Sequence, residues 1–199
     1  MKLVDIEEFK IKNNSDIFFN FDIKKFNWFN IGGKTRIFFK PKNLKELKEF
    51  LVLYSNRGKI FILGLGSNVL FKDSVFEGVI IKLGNSFSSL SKLCNDTIIA
   101  GSSCLQKKLS EFAMENEISG FEYMHCIPGS VGGGIKMNSG CFGGEFKDNI
   151  VSLQCIDLKG NVKVIPINKL KFSYRKIHLD ENLIFLSATF KGNISSKKK

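Results

Sequence analysis

Four glycines lie within six positions, from Gly129 to Gly134, and this cluster limits the fold more than any other part of the sequence. Glycine has no Cβ, so it permits backbone turns with positive φ and the close approach of a flat or anionic ligand. The cluster is neither a G-x-x-x-x-G-K-[ST] nucleotide loop nor a Rossmann fingerprint, which disfavours mononucleotide kinases and nicotinamide dehydrogenases. The whole segment reads Ile127-Pro128-Gly129-Ser130-Val131-Gly132-Gly133-Gly134.

A second glycine turn directly follows an apolar segment and reads Leu63-Gly64-Leu65-Gly66-Ser67-Asn68. Its glycines allow the chain to turn and present backbone N–H groups outward, which suits a phosphate. Ser67 and Asn68 add side-chain donors. An ordinary turn at the end of a strand is the alternative, and the motif by itself does not decide between the two.

Apolar periodicity predicts a strand, helix, strand, strand unit around this turn, with Asn43 capping the helix. Its segments are residues 35–40, 43–55, 59–63 and 78–83. Buried strands with a crossover helix indicate a small parallel or mixed sheet. The second half predicts a strand at 97–101, a helix at 103–116 and strands at 150–157, 161–166 and 183–190. The pattern indicates two lobes, each with helices and strands.

The net charge of +11 comes from 30 basic residues, of which only Arg36, Arg57 and Arg175 are arginine. A solvated lysine surface is the ordinary interpretation, and attraction of a phosphate-bearing ligand or nucleic acid is the alternative. Nucleic acid is not expected as a partner, because no aromatic and basic platform or helix-turn-helix pattern accompanies the charge.

The five cysteines include no C-x-x-C pair and no histidine at zinc-ligand spacing, so we interpret them as free thiols and expect no metal. The longest apolar stretches have the length of strands and fall far below the ~20 residues of a membrane helix. The N-terminus lacks the apolar region of a secretory signal. We therefore expect a cytoplasmic protein without a membrane partner.

Five motifs occur in a fixed order along residues 26–192, and together they carry a specific resemblance. They are Asn27-Trp28-Phe29-Asn30-Ile31-Gly32-Gly33, Gly64-Leu65-Gly66-Ser67-Asn68-Val69-Leu70, Ile127-Pro128-Gly129-Ser130-Val131-Gly132-Gly133, Met137-Asn138-Ser139-Gly140-Cys141-Phe142-Gly143-Gly144-Glu145 and Phe172-Ser173-Tyr174-Arg175. In order and spacing the series resembles the UDP-N-acetylenolpyruvoylglucosamine reductases, FAD enzymes of peptidoglycan precursor synthesis.

The resemblance implies an α+β fold, a two-lobed FAD-binding domain of the vanillyl-alcohol oxidase (PCMH) type. An N-terminal segment at 1–25 would precede the domain at 26–192, with lobe 1 at about 26–85 and lobe 2 at about 86–192, and a lysine-rich tail would occupy 193–199. FAD would bind noncovalently between the lobes of a monomer. NADPH would donate hydride, and a UDP-sugar carrying an enolpyruvyl group would accept it.

The resemblance also assigns site residues. Arg175 matches the catalytic arginine, whose planar guanidinium grips a substrate carboxylate as negative charge develops there. Tyr174 beside it is expected to contact substrate. The expected cofactor-binding residues are Gly64, Gly66, Ser67, Asn68, Val69, Leu70, Ile127, Pro128, Gly129, Ser130, Gly132, Gly133, Asn138 and Gly140.

Three further side chains near these motifs have two interpretations each. For Glu145 we favour a capping or lobe-bridging role over that of a general acid. His178 is expected in a solvent-exposed loop. Covalent attachment of FAD through His125 or Cys126 is conceivable from the wider flavin group and is not expected here.

The family's pattern continues into a third, substrate-binding lobe that carries a serine proton donor and a late glutamate. Neither residue has a counterpart with matching context in 193–199. A non-catalytic flavin-binding remnant of the reductase is therefore the alternative function, and turnover by this chain alone stays open. A positioned general acid is worth about 10² to 10⁴ in rate.

Overall fold

The computed structural model describes residues 4–55 and 57–195. The chain forms two compact units. The first comprises the described residues up to Ser86 together with Asp157–Asn161. The second comprises Phe87–Ile156 and the described residues from Val162 onward.

A four-stranded mixed sheet forms the first unit. Its elements are α1 Val4–Asn13, β1 Asp16–Asp22, β2 Lys34–Lys40, α2 Leu44–Tyr54, β3 Lys59–Ile62 and β4 Phe76–Ile81. The strand order is β1-β2-β4-β3, in which β4 pairs in parallel with both β2 and β3 while β1 pairs antiparallel with β2. The central strands are rich in buried Ile, Val and Phe, as parallel strands covered on both faces must be.

Helix α2 begins where the sequence predicts, because the side chain of Asn43 accepts a hydrogen bond from the Glu46 amide at 3.0 Å. Its buried face includes Leu47, Phe50 and Tyr54. The ring of Phe50 lies 4.2 Å, centroid to centroid, from that of Phe39 on β2. This apolar face holds the helix on the sheet.

The predicted N-terminal segment 1–25 does not stand apart from the sheet. Residues Asp16–Asp22 form β1 and pair with β2 from Asp16 opposite Lys40 to Asp22 opposite Lys34. The strand is hard to find in the sequence because it is an edge strand in which Ile17 is buried and Phe18 is 40% exposed, so polar and apolar residues do not alternate cleanly.

An antiparallel sheet forms the second unit, with strand order β11-β10-β14-β6-β5. Its strands and helices are β5 Leu90–Cys94, β6 Thr97–Gly101, α3 Gln106–Glu115, β7 Ile118–Ser119, α4 Val131–Lys136, β8 Gly140–Cys141, β9 Gly144–Glu145, α5 Phe146–Asn149, β10 Ile150–Ile156, β11 Val162–Pro166, β12 Lys171–Ser173, β13 Lys176–His178, β14 Ile184–Lys191 and β15 Asn193–Ile194. The chain also has 3-10 helices at Lys24–Phe26, Asn85–Phe87, Glu122–Cys126 and Ile167–Lys169.

The predicted tail 193–199 begins inside this unit. Strand β15, at Asn193–Ile194, pairs antiparallel with β7, and Gly192 before it is buried. A Cβ at Gly192 would lie 2.4 Å from the carbonyl oxygen of Ser119, so glycine allows this close pairing. The end of the predicted tail, residues 196–199, lies outside the described residues.

Candidate functional site

In the first unit, the Gly64–Leu70 turn packs against the motif that begins at Asn27. Gly66 has φ 79, and a Cβ there would lie 2.1 Å from the carbonyl oxygen of Phe26. The Gly66 carbonyl accepts a hydrogen bond from the Trp28 amide at 3.2 Å. Only glycine meets both the conformation and the close approach, so two of the sequence motifs form one local structure.

A lysine that the sequence analysis did not single out supports this turn. Lys82, just after β4, donates from Nζ to the Gly64 carbonyl oxygen at 2.5 Å. Burial, and secondly the nearby positive charge of Lys40, lower the Lys82 pKa. Among the described residues neither lysine belongs to an ion pair. The turn therefore carries positive charge that an anion such as a phosphate would compensate.

The other residues of this turn differ in exposure. Asn68 is exposed and Leu70 is 69% exposed, whereas Ser67 and Val69 are half-buried. Val69 packs on the small core of Ile23, Phe38, Leu63 and Ile80, so its side chain serves the fold.

In the second unit, the glycine-rich segment forms the N-terminal turn of α4. The Val131 amide donates to the carbonyl oxygen of Cys104 at 2.8 Å, and the Gly132 amide donates to that of Ser102 at 2.8 Å. The Gly133 amide donates to Oγ of the N-cap Ser130 at 3.3 Å. These three amides have protein partners, so the turn is not built to hold an anion.

The three consecutive glycines of α4 have different surroundings. A Cβ on Gly132 would lie 3.1 Å from the Ser102 Cβ, and one on Gly134 would lie 2.3 Å from the ring of Phe146. A Cβ on Gly133 would meet only Ser130 Oγ, at 3.5 Å, and otherwise open space. Gly134 is thus required for packing and Gly132 is tightly packed, whereas Gly133 leaves a flat, accessible face.

Two buried polar atoms lie beside this segment. Ser102 Oγ and Gln106 Oε1 have no hydrogen-bond partner within the described part of the chain. The backbone amide of Gln106 donates to the Gly129 carbonyl oxygen at 3.0 Å, and its side-chain Nε2 donates to the Ser130 carbonyl oxygen at 3.2 Å. These two hydrogen bonds hold the glycine-rich segment against α3. Unpartnered buried oxygens cost free energy, so a bound group that supplied a donor here would stabilise the site.

The next predicted residue, Asn138, is fully buried and has φ 39. Its Nδ2 donates to Glu145 Oε2 at 3.0 Å and to the Ser173 carbonyl oxygen at 3.3 Å. Its Oδ1 accepts from the Lys147 amide at 3.0 Å. Both amide hydrogens are used within the protein, so this side chain joins three chain segments, and any cofactor contact would fall to its backbone.

Arg175 occupies a two-residue turn with Tyr174 between β12 and β13, directly after the Ser173 that Asn138 holds. It has φ 55, a left-handed conformation that costs a non-glycine residue about 1–3 kcal/mol. Tyr174 is 81% exposed, and the Arg175 guanidinium lies over its ring, 5.5 Å from the centroid. A strained, exposed arginine of this kind is typical of functional sites.

A cavity of about 440 Å³ lies at this turn. Its wall is made by Arg175, by the β8–β9 hairpin from Gly140 to Glu145, and by Lys147 and Asp148. Among the described residues no carboxylate lies within ion-pair distance of Arg175. The guanidinium is therefore available to a carboxylate brought by a ligand.

Glu145 in this wall is an ionised N-cap residue of α5. Its amide donates to Asp148 Oδ2 at 2.8 Å, which closes one half of a capping box. A hydrogen bond from Lys147, then one from Asn138, and the charges of Lys147 and Arg175 hold the pKa of Glu145 below its usual range. A carboxylate with a lowered pKa has no proton to give near neutral pH, so the structure supports the capping interpretation over the general acid.

The remaining predicted residues are surface or packing positions. His125, Cys126, Pro128 and His178 are exposed, and Ile127 packs on the core of the second unit. His178 Nε2 lies 2.9 Å from Ser173 Oγ. No described group of three or more His, Cys, Asp or Glu side chains could hold a metal ion. Nor does any described helix have the length and apolar character needed to cross a membrane.

Replacing Asn138 with aspartate is expected to destabilise the protein by about 1–3 kcal/mol, because the Ser173 carbonyl oxygen loses its donor and the Glu145 carboxylate keeps only Lys147. The free energy of unfolding, measured in urea, checks this. Asn182→Asp is the matched control, since Asn182 is exposed and its side chain donates no hydrogen bond within the described part of the chain. Equal stability of the two variants would show that the Asn138 amide does not hold these segments together.

Comparison with known proteins gives a match to a family described as FAD binding domain over residues 35–165. A UDP-N-acetylenolpyruvoylglucosamine reductase of Pelagibacter ubique is 54% identical over all 199 residues, which span 66% of that protein. The enzyme of the same name from Rickettsia massiliae is 44% identical over 174 residues, 87% of this chain and 59% of that protein. The chain thus spans somewhat less than two thirds of these relatives.

Solved structures agree on the fold. The UDP-N-acetylenolpyruvylglucosamine reductase of Thermus caldophilus superposes with a TM-score of 0.78 at 26% identity, over 92% of this chain and 64% of that one. An alkyldihydroxyacetonephosphate synthase gives 0.59 at 14% identity, over 83% of this chain and 33% of that one, which shows the shared fold alone. These matches confirm the predicted α+β FAD-binding fold and the resemblance to the reductases, and the chain belongs to the FAD-binding domain family.

Proposed function

We propose that this chain is the FAD-binding part of an enzyme that reduces UDP-N-acetylglucosamine enolpyruvate to UDP-N-acetylmuramate with NADPH, in the synthesis of peptidoglycan precursors. The observation that carries the proposal is Arg175, held in a left-handed turn on a cavity wall, to which no carboxylate of residues 4–55 and 57–195 is paired. The relatives of this chain are named as reductases of this kind, and one of them is 54% identical to it, which supports the same reaction.

Each unit contains residues whose chemistry suits one part of FAD. Positive charge from Lys82 beneath the Gly64–Leu70 turn fits the pyrophosphate, and the flat face at Gly133 fits the flavin. The backbone of Asn138–Gly140 would complete the flavin side. When bound, FAD supplies the hydride-transfer chemistry, while the protein supplies binding, orientation and electrostatics.

Arg175 performs the protein's part in the reduction of the substrate. Its guanidinium binds the carboxylate of the enolpyruvyl group through two parallel hydrogen bonds and stabilises the negative charge that grows there. Lys147 and Asn138 already satisfy Glu145, so this carboxylate does not compete for Arg175 at hydrogen-bond distance. Tyr174 extends the substrate surface on the same turn.

We propose that the enzyme works in the cytoplasm as a monomer. Five free cysteines support the location, because oxidising compartments favour paired ones.

Two measurements on the purified chain test the proposal. Acid precipitation is expected to release yellow FAD into the supernatant, because no covalent bond holds it. Flavin that stays in the pellet would contradict this and make His125 or Cys126 the attachment point. Added UDP-sugar is then expected to raise the rate of NADPH oxidation by the chain fused to the C-terminal part of a full-length reductase. A rate of NADPH oxidation that is the same with and without the UDP-sugar would identify a flavin-binding protein without this activity.

Lys82→Met is expected to weaken FAD binding about 10-fold or more, since it removes a charged partner of the pyrophosphate. The cation is the binding form and its pKa is lowered, so affinity of the unaltered protein should fall as pH rises, below the usual titration range of lysine. Titration of the apoprotein with FAD at several pH values measures both effects. Lys45→Met, at an exposed position on α2, is the control. An unchanged affinity for Lys82→Met would remove Lys82 from the cofactor site.

A further inference from the structure

Two of the five cysteines are neighbours in space although they are far apart in the sequence. Cys126 ends the 3-10 helix Glu122–Cys126, and Cys141 ends β8. The 3-10 helix packs directly against β8, and the Cys141 side chain lies close enough to the Cys126 thiol to shift its pKa. The Cys126 thiol also donates to the carbonyl oxygen of Tyr123 at 3.3 Å.

The packing of the second unit holds the two thiols together. The hairpin β8–β9 lies against the 3-10 helix, and a Cβ on Gly144 would be only 2.6 Å from the ring of Tyr123. Tyr123 is 7% exposed and donates from its hydroxyl to Asn149 Oδ1 at 3.2 Å, which fixes the ring. The proximity of Cys126 and Cys141 is therefore a property of the folded unit.

The accessibility of the cysteines separates this pair from the buried ones. Cys126 is exposed, and Cys141 is half-buried in the wall of the cavity that contains Arg175. Cys104 and Cys155 are buried, and burial raises the pKa of each to about 11, which makes them poor nucleophiles. A soluble oxidant can therefore reach the pair before it reaches the buried thiols.

We propose that Cys126 and Cys141 form a reversible oxidation site that closes to an intrachain disulfide on reaction with a low-molecular-weight disulfide such as oxidised glutathione. The Cys126 thiolate attacks one sulfur of the reagent, forms a mixed disulfide and releases one thiolate. The Cys141 thiolate then attacks the Cys126 sulfur and releases the second. The protein loses two electrons and two protons, and the reagent becomes two thiols.

The environment also sets how fast the site reacts. The interaction with the Cys141 thiol, and secondly burial, raise the Cys126 pKa, so only a small fraction is thiolate near neutral pH. The rate should rise with pH. The product closes a loop of about 15 residues, which includes the Ile127–Gly134 segment, and should raise the apparent melting temperature by restricting the unfolded chain.

The test uses the full chain as purified. The protein is incubated with excess oxidised glutathione, its remaining thiols are alkylated, and its peptides are analysed by mass spectrometry. The expected result is one linked peptide pair containing Cys126 and Cys141, without glutathione on either, and its loss on addition of dithiothreitol. Cys94, exposed on β5, should carry a separate glutathione adduct.

Single variants give the matched controls. In Cys126→Ser or Cys141→Ser the remaining thiol has no partner, so its glutathione adduct should persist, whereas Cys94→Ser should leave the linked pair unchanged. Glutathione adducts on both Cys126 and Cys141 of the unaltered protein would overturn the proposal. So would a reduced pair under conditions that modify Cys94. Peptide mapping of the unaltered protein decides this even if a variant does not fold, and FAD binding plays no part in the outcome.

Discussion

Arg175→Lys is expected to lower UDP-sugar-dependent turnover by about 10² or more while FAD stays bound. Lysine keeps the positive charge but loses the planar fork that makes two parallel hydrogen bonds to a carboxylate. Both residues carry a Cβ, so the left-handed φ of 55 costs each about the same. The comparison therefore isolates the shape of the charged group from backbone strain and from net charge.

The chain spans less than two thirds of the reductases to which it is similar, so for this experiment it is fused to the C-terminal part of one of them. Initial rates of NADPH oxidation over a range of UDP-sugar concentrations give kcat and KM separately. Arg36→Lys is the control, since Arg36 pairs with exposed Glu77 in the first unit, at 2.9 Å. Equal rates for the fusion and its Arg175→Lys variant would remove Arg175 from the active site.

Gly133→Val is expected to abolish FAD binding and to leave the secondary structure intact. The added side chain would occupy the open face where the flavin is proposed to lie, and its Cβ would contact only Ser130 Oγ, at 3.5 Å. Helix propensity does not oppose the change, because valine in a helix is no worse than glycine. The circular dichroism spectrum should therefore stay the same while the absorbance of bound flavin is lost.

Gly132→Val gives the contrasting result. Its Cβ would lie 3.1 Å from that of Ser102, so Ser102 must move by a few tenths of an ångström to make room, and thermal stability should fall. Flavin bound at normal stoichiometry in Gly133→Val would show that the cofactor does not use this face. Loss of structure in both variants would contradict the distinction between the two glycines.

Local sequence signals predicted the regular elements well. The apolar spacing of α2 and its cap Asn43 produced the helix within a residue or two of its ends. Most strands of the two large sheets were predicted for the same reason, since their periodicity is read over a few neighbouring residues, whereas the edge strands β1 and β5 were missed. For Glu145 the structure supports the capping role, which also depends on residues nearby in the chain.

Contacts between segments that are far apart in the sequence could not be predicted from such local signals. Nothing near Asn138 in the sequence shows that its side chain reaches the Ser173 carbonyl, 35 positions away. In the sequence Lys82 resembles any other lysine of a lysine-rich chain, and only the structure shows that its Nζ donates to the Gly64 carbonyl oxygen. The three glycines of α4 are alike in sequence, and only their neighbours in space assign Gly133 a different role.

Binding of FAD to the purified apoprotein is the most direct test of the central claim. Addition of FAD should quench its fluorescence until one equivalent per chain is bound, and filtration should retain the yellow colour with the protein. Unquenched fluorescence, with all FAD passing the filter and a folded chain by circular dichroism, would contradict the account.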